Sequence, residues 1–374
     1  MKLNLKKTAA GVIAFVVFVA ALIYCNKIEK ADLISTEGQS YEKAQVVEIT
    51  KDNLAEDGNR YGEQKVILKI NSGSLKGQEV EAVSPSGTLF GATCKVGMPV
   101  IAIVSVTENN SVVTVYSQDR SIAIYVFAVL FALIVCAIGG RQGAKAVISL
   151  AFTCISIFGL LFPLIYKGYS PVFVTILICV VATVFTMLMI SGWSKKTLSA
   201  VIGTTCGVAA AGAAATIFGH FAGISGYNVP DIETLNYVAQ YTPIRIGGLL
   251  FAGIIISSLG AVMDVGMSMS SAIQEIYEAN PEVGKKKLFL SGIQVGRDMM
   301  GTMTNTLILA YVGGAITTLI INYAYNLSYN QLLNSYNIGI EIMQGLSGSL
   351  GVVLTVPITA AVAVELLYRN SMRK

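Results

Sequence analysis

Two aspartates stand out because each lies at the edge of a long apolar run. Asp264 lies near the end of one run, and Asp298 lies near the start of the next. A charge placed in hydrocarbon costs about 3 kcal/mol or more, so acids in such positions usually line a protein-filled or hydrated interior. Carboxylates there can bind a cation or exchange a proton. These two stretches are where we expect the function of the chain to reside.

Further polar residues share helical faces with the two aspartates. Side chains spaced three and four residues apart project from the same side of an α-helix. On the first helix this spacing joins Asp264 to Ser268, Ser271, Glu275 and Glu278. On the second helix the polar set comprises Arg297, Asp298, Gly301, Thr302, Thr304 and Asn305. The sequence Asn280-Pro281 is expected to end the first helix, so that the two helices form a hairpin.

These residue types predict a site for a small solute or an ion. We expect Asp264 and Asp298 to bind a coupling cation or a proton, and Arg297 to position one of these acids or an anionic substrate group. The expected uncharged contacts are Ser268, Ser271, Thr302, Thr304, Asn305 and the backbone at Gly301. Glu275 and Glu278 would form a vestibule that concentrates cations. A hydrated crevice open toward the cell interior would receive both aspartates.

A structural alternative accounts for the same charges. Arg297 and Asp298 could reach the membrane surface with their polar ends while their stems stay in the apolar layer. A salt bridge between Asp264 and Arg297 would then hold the two helices together without any further role. The depth of Thr302 and Asn305 in the second run favours a polar pathway over this alternative.

The composition is that of a membrane protein. Hydrophobic residues make up 54% of the 374-residue chain and charged residues only 13%, about half the usual charged share of roughly 25%. Apolar runs of about twenty residues, the length that crosses a bilayer, recur along the sequence. The predicted spans are 8–24, 122–139, 147–165, 172–190, 198–221, 246–262, 299–324 and 346–367. We therefore predict an α-helical polytopic membrane protein with about eight transmembrane helices.

Basic residues indicate the orientation of these spans. Loops on one side carry Arg141, Lys145, Lys195, Lys196 and the run Lys285 to Lys287, whereas short segments on the other side carry few. Because basic loops remain in the cytoplasm, both termini are expected there, in the bacterial plasma membrane. Residues 1–25 would be an uncleaved signal anchor, although a cleaved signal peptide has the same general pattern.

Residues 26–121 differ from the rest and form a predicted extracytoplasmic domain. Alternating apolar residues predict strands at 44–50, 64–70, 79–84, 99–106 and 112–116. About five short strands are typical of a small all-β barrel of the OB type or of a sandwich. The segment has no histidine and no evident nucleophile, so it is expected to bind or assemble rather than catalyse. Residues 122–374 would form the membrane domain.

Small residues follow one stripe of the fifth predicted span. They are Gly203, Gly207, Ala211, Ala215 and Gly219. Small residues at this spacing let helix backbones approach closely in lipid. The stripe predicts a buried central helix.

Several motifs resemble those of a known family. They are the stretches 139–143, 260–272, 291–292 and 296–311. The last of these stretches contains Arg297-Asp298-Met-Met-Gly-Thr-Met-Thr-Asn-Thr. Together they resemble the YibE/F family of bacterial multi-spanning membrane proteins, over residues from about 122 to the C-terminus. The resemblance implies an integral membrane protein of a kind described as candidate permeases, and it implies no particular substrate or catalytic residue.

Enzyme motifs are mostly lacking in the sequence. It contains no complete phosphate-binding Gly-x4-Gly-Lys-Ser/Thr motif, and its single histidine, His220, rules out a His-Glu-x-x-His zinc site. Asp264 and Asp298 could act as an intramembrane aspartyl protease pair, but Arg297 next to Asp298 would hold that acid ionised. The six cysteines predict no disulfide framework.

We therefore predict a secondary transporter or permease, not an enzyme, without a cofactor or metal. The expected partners are the lipid bilayer, a small solute or ion, and a second copy or another membrane protein; nothing points to nucleic acid. The main alternative is a membrane scaffold that captures partners through the outer β-domain. Loss of Asp298, Thr302 or Asn305 would disable a transporter but not a scaffold.

Overall fold

A computed structural model describes residues 5–34, 38–56, 59–85, 91–107 and 110–371. The chain divides into two compact units. One unit comprises Asp32–Val135, and the other comprises Met1–Ala31 together with Cys136–Lys374. The first is mainly a β-barrel and the second is helical.

The barrel has five strands, as the alternation of apolar residues predicted. They are β1 Gln39–Lys51, β2 Glu63–Ile70, β3 Glu79–Pro85, β4 Pro99–Thr107 and β5 Asn110–Gln118. The strand order β1-β2-β3-β5-β4 closes on itself. β3 and β5 pair in parallel, whereas the other neighbours are antiparallel. This arrangement is that of an OB-type barrel, so the sandwich alternative is wrong.

Alternate side chains of the strands fill the barrel. Val66, Leu68 and Ile70 of β2 are fully buried, because residues two apart on a strand point to the same side of the sheet. Gln64 continues this inward row, and its side-chain oxygen accepts a 2.7 Å hydrogen bond from the backbone N–H of Cys94. The pairing satisfies a polar group in an otherwise apolar core.

Eleven α-helices are present in the described residues. They are α1 Leu5–Asn26, α2 Ser121–Ser156, α3 Phe162–Tyr166, α4 Pro171–Ser191, α5 Lys195–Ala222, α6 Ile232–Tyr241, α7 Leu249–Ala279, α8 Lys285–Gly314, α9 Ile316–Ala324, α10 Tyr329–Leu333 and α11 Tyr336–Ser371. A π-helical turn, Ile157–Leu161, separates α2 from α3. α7 ends at Ala279 with Asn280 as its C-terminal cap, as Asn280-Pro281 predicted.

Five helical stretches of the described chain are long and apolar enough to cross a membrane. They are Ser121–Tyr166, Pro171–Ser191, Lys195–Ala222, Ile246–Ala279 and Tyr336–Arg369. The pair α8 and α9, bent by 59°, makes a sixth if it is one span. The sequence predicted eight, and that number is not established by the structure.

Two features account for the difference in span number. The stretch Ser121–Tyr166 has 46 residues and contains both the second and the third predicted span. Its helix is interrupted at Gly140, where φ is 52° and ψ is −130°, values that suit glycine rather than residues with a side chain. Among the described residues, the apolar helix at the start of the chain is Phe15–Asn26, which is too short to count as a span.

The centre of the helical unit is formed by α5, α7 and α11. The predicted small-residue stripe on α5 is buried along its whole length. A Cβ placed on Gly203 would overlap the Thr359 hydroxyl, and one on Gly207 would lie 3.0 Å from the Gly351 carbonyl oxygen. The backbones of α5 and α11 therefore approach closely, and the prediction of a central buried helix is confirmed.

Candidate functional site

The predicted site residues lie on the antiparallel helices α7 and α8. A Cβ placed on Gly292 would lie 2.8 Å from Cγ1 of Ile273, and one on Gly296 would lie 2.9 Å from Sδ of Met269. These contacts fix the relative heights of the two helices. By this register Asp264 lies level with Gly301.

One face of α7 is packed and the opposite face is polar and accessible. On the packed face Val262, Val265, Met269 and Ile273 are fully buried. The accessible face carries exposed or half-buried small and polar residues at helical spacing: Gly253, Ser257, Gly260, Asp264, Ser268, Ser271, Glu275 and Glu278. We call this set the α7 polar stripe. A Cβ on Gly253 or Gly260 would have no neighbouring atom within 4 Å, so the stripe faces open space.

α8 has the same two-sided character. Gly292, Gly296 and Leu307 are buried, whereas the predicted site residues Arg297, Asp298, Gly301, Thr302 and Asn305 are exposed. The predicted polar residues of α8 thus lie mainly on its accessible side.

Local hydrogen bonds keep several α8 side chains close to their own helix. The Thr302 hydroxyl donates to the Asp298 carbonyl at 3.1 Å, and Arg297 donates to the side chain of Gln294 at 3.5 Å. Thr304 is half-buried, and its hydroxyl has no hydrogen-bond partner. That hydroxyl is the one member of the predicted set that is enclosed and unsatisfied.

The alternative salt bridge between Asp264 and Arg297 does not form. The ion pairs in the described part of the chain are Lys43–Asp119, Arg60–Asp52 and Lys285–Glu365. Asp264 makes no hydrogen bond and no ion pair to any described residue, and its side chain is exposed.

The expected crevice between α7 and α8 is also not present among the described residues. Gly292 and Gly296 allow α8 to pack directly on Ile273 and Met269, so the two helices are in contact at this level. The two aspartates instead lie on the accessible surface. Glu275 and Glu278 are exposed near the end of α7, where the Glu278 carboxylate accepts a 2.7 Å hydrogen bond from Gln274.

Three residues that the sequence reasoning missed extend the polar surface toward the other end of α7. The Tyr311 hydroxyl of α8 donates a 2.7 Å hydrogen bond to the Ser257 hydroxyl on the α7 polar stripe. Tyr311 also lines a groove of about 220 Å³ between α8, α9 and α11, together with Glu341. Glu341 is the only acid of the run Ile338-Gly-Ile-Glu-Ile-Met, and that isolation is the signal that could have identified it.

No group of three or more histidine, cysteine, aspartate or glutamate side chains capable of holding a metal is present in the described residues. All six cysteines are free. His220 is exposed at the end of α5 and contacts the ring of Phe221.

Comparison with known proteins identifies a family. The family model for YibE/F-like protein matches residues 127–369, more than half of the chain, and includes the α7 polar stripe, α8 and Glu341. No curated protein and no solved structure matches the chain. The family match and the long apolar helices are consistent with a membrane protein.

Proposed function

We propose, from the premise that this chain belongs to the YibE/F-like family, that it is a permease for a small cation. In this proposal Asp264 is the intramembrane cation-binding residue. The observation that carries the proposal is an aspartate that faces away from the packed core, with no hydrogen-bond or ion-pair partner among the described residues, within the part of α7 expected to lie in lipid.

The length of helix α4 marks the two boundaries of the hydrocarbon layer, from which the depth of Asp264 follows. We call this pair of boundaries the α4 scale. Its 21 residues extend about 31 Å, close to the roughly 30 Å of a hydrocarbon core. At one end of α4 a Cβ on Gly248 would lie 3.2 Å from Pro171, and at the other end Ser191 lies 3.6 Å from Sδ of Met267. α7 therefore crosses the hydrocarbon between Gly248 and Met267. Asp264 lies about one helical turn inside the second boundary.

Basic residues support an orientation for this part of the chain. The Nζ atom of Lys195 donates to the Leu367 carbonyl oxygen at 3.4 Å, and Lys285 pairs with Glu365 at 3.1 Å. The start of α5, the start of α8 and the end of α11 therefore lie at one end of the bundle, and this end is basic. By the positive-inside rule it faces the cytoplasm, with Asp264 near the cytoplasmic side and residues 26–121 outside.

The cost of burying a charge supports a transport role for Asp264. An unpaired carboxylate against lipid is unfavourable by about 3 kcal/mol or more, so water, an ion or another protein has to meet it. A cation entering from the cytoplasm would pass Glu275 and Glu278, then Arg297 and Asp298 at the boundary. Deeper contacts would come from Gly301, Thr302, Thr304 and Asn305.

A single chain provides only one wall of such a path. Because the α7 polar stripe faces away from the packed core, a second copy of the chain is proposed to supply the opposite wall. Gly253 and Gly260 leave room for close approach of another helix, as small residues do at helix contacts in lipid. The proposal is therefore that the polar faces of two copies enclose a hydrated path between them.

Cation flux into proteoliposomes tests this function. The probes are Na⁺, Rb⁺ and H⁺, measured separately in vesicles that contain wild type, Asp264→Asn or Glu282→Gln. Glu282 is an exposed acid in the loop after α7 and serves as a matched control. The proposal predicts that Asp264→Asn lowers the flux of at least one probe about tenfold or more, while Glu282→Gln leaves it unchanged.

Two results would contradict the permease assignment. One is flux of all three probes no greater than in empty vesicles. The other is equal flux in wild type and in a folded Asp264→Asn variant. In either case a scaffold role for the β-barrel would become the better account.

A further inference from the structure

Glu341 is an acid that lies outside the cation path proposed above. It is half-buried on α11 and lines the groove between α8, α9 and α11. It makes no hydrogen bond or ion pair to any described residue. The groove is otherwise apolar except for Tyr311, so Glu341 is an acid in a largely hydrophobic recess.

The packing of its neighbours places Glu341 near the end of α7 opposite Asp264. Ile340 and Met343, which flank Glu341, belong to one buried cluster with Leu250 and Ile254. Gly248 marks the outer boundary on the α4 scale, so Glu341 lies about one turn inside that boundary. Asp264 lies about one turn inside the inner boundary. The two acids therefore occupy equivalent depths on the two sides of the membrane.

Hydroxyl groups lie between the two acids. Tyr311 shares the groove with Glu341, and it donates to Ser257 on the α7 polar stripe. Ser257 precedes Asp264 by seven residues, or about 10 Å along the helix. Gly260 lies between them and has open space where a side chain would be, which leaves room for water.

We propose that Glu341 is the outer proton-binding residue of a relay that passes through Tyr311, Ser257 and water to Asp264. This inference rests on the proposed permease function and names its cation as H⁺. A proton from the outer solution binds the Glu341 carboxylate and makes it a neutral acid. The Glu341 proton then moves to the Tyr311 hydroxyl as Tyr311 passes its own proton to Ser257. Ser257 passes its proton through water to the Asp264 carboxylate, which releases it to the cytoplasm. Each transfer restores the donor, so the chain undergoes no net chemical change.

The residues that line the groove favour the binding of a proton over the binding of a metal cation. Hard cations take six or more oxygen ligands, and the groove offers only the Glu341 carboxylate and the Tyr311 hydroxyl. Ala315, which lies between α8 and α9, and Leu319 of α9 are apolar. Glu341 and Tyr311 are thus the titratable groups that face the groove. A proton needs no more than one such acid and one hydroxyl.

The first measurement probes protonation of Glu341 directly. Dicyclohexylcarbodiimide reacts with protonated carboxyl groups in apolar surroundings, and mass spectrometry of peptides locates the adduct. We expect an adduct at Glu341 that increases as the pH is lowered. Glu365, which is exposed on the same helix and paired with Lys285, should remain unmodified. Modification of both acids to the same extent would contradict an apolar proton site.

The second measurement is proton uptake driven by a K⁺ diffusion potential, reported by a pH-sensitive dye inside the vesicles. Glu341→Gln should lower H⁺ flux about tenfold or more, because the mutant side chain cannot carry a proton. Glu365→Gln should retain the wild-type flux. Wild-type flux that Asp264→Asn abolishes but Glu341→Gln preserves would overturn the relay and leave the permease intact. Absence of wild-type flux for every cation would remove both.

Discussion

The hydroxyl of Tyr311 donates a 2.7 Å hydrogen bond to the hydroxyl of Ser257, which joins α8 to the α7 polar stripe. Tyr311 also packs on α11, since a Cβ on Gly345 would lie 3.7 Å from its ring. Three helices thus meet at one tyrosine, which lies between Glu341 and Asp264 in the proposed path. This contact connects the acidic ends of the proposed path.

Replacing Tyr311 with phenylalanine separates the role of its hydroxyl from the role of its ring. The ring contacts with α11 remain, so we expect the free energy of unfolding to fall by only about 1 kcal/mol, the usual value of one hydrogen bond. Proton flux should fall much more, because the relay loses a hydroxyl. Tyr277→Phe is the matched control, since Tyr277 contacts Tyr368 far from the groove. Equal flux in wild type and both variants would exclude Tyr311 from the path.

Two glycines of α8 should respond in opposite directions to alanine. At Gly296 the added Cβ would overlap Val356 and lie 2.9 Å from Met269, and such overpacking costs about 1–3 kcal/mol. At Gly301 the Cβ would meet open space, and alanine in a helix interior is favoured over glycine by roughly 0.5–1 kcal/mol. Thermal unfolding in detergent should show Gly296→Ala destabilised and Gly301→Ala unchanged or stabilised. Destabilisation of both would contradict the accessible position of Gly301.

A second copy facing the α7 polar stripe would allow cross-linking at Gly260. In a variant without native cysteines, Gly260→Cys should form a covalent dimer under mild oxidation in lipid vesicles. Ala213→Cys, on the exposed face of α5, is the control and should remain monomeric. Cross-linking of Ala213→Cys but not Gly260→Cys would place the contact between copies on another face.

The β-barrel should lose stability in acid through Asp52. A hydrogen bond from Arg60, with a further one from Gln64, holds the pKa of the Asp52 carboxyl below its usual range. The stability from a lowered pKa is present at neutral pH and is lost as the pH falls from about 4 toward the folded-state pKa. Hydrogen exchange of β1 and β2 in the full chain, corrected for intrinsic rates, should show this loss. Asp52→Asn should be less stable at pH 7 and should show a weaker pH dependence; an unchanged dependence would exclude Asp52 as the cause.

Local patterns predicted the parts of the structure that depend on one helix or one strand. Alternation in 64–70 placed Val66, Leu68 and Ile70 in the barrel core, because the period of a strand is two. The spacing of Asp264, Ser268 and Ser271 placed them on one face of α7. Neither pattern indicates what packs against the opposite face.

Features that depend on contacts between distant segments could not be predicted in this way. Whether an Asp264–Arg297 bridge forms depends on which sides of α7 and α8 face each other, and Arg297 instead donates to Gln294 on its own helix. The groove at Glu341 depends on the 59° bend between α8 and α9 and on the start of α11 at Tyr336, ten residues before the predicted start at 346. The second and third predicted spans lie in one helix that is interrupted by the positive φ of Gly140. The sequence pattern did not predict this arrangement either.

Reaction of introduced cysteines with a charged, membrane-impermeant thiol reagent tests most directly whether the α7 polar stripe is hydrated within the membrane. The variants Ser257→Cys, Gly260→Cys and Ala213→Cys would be compared in vesicles, in a background without native cysteines. The first two are expected to react, whereas Ala213→Cys, on the exposed face of α5, is expected to remain unmodified. Protection of all three positions would show a dry stripe, and the proposed cation path would be contradicted.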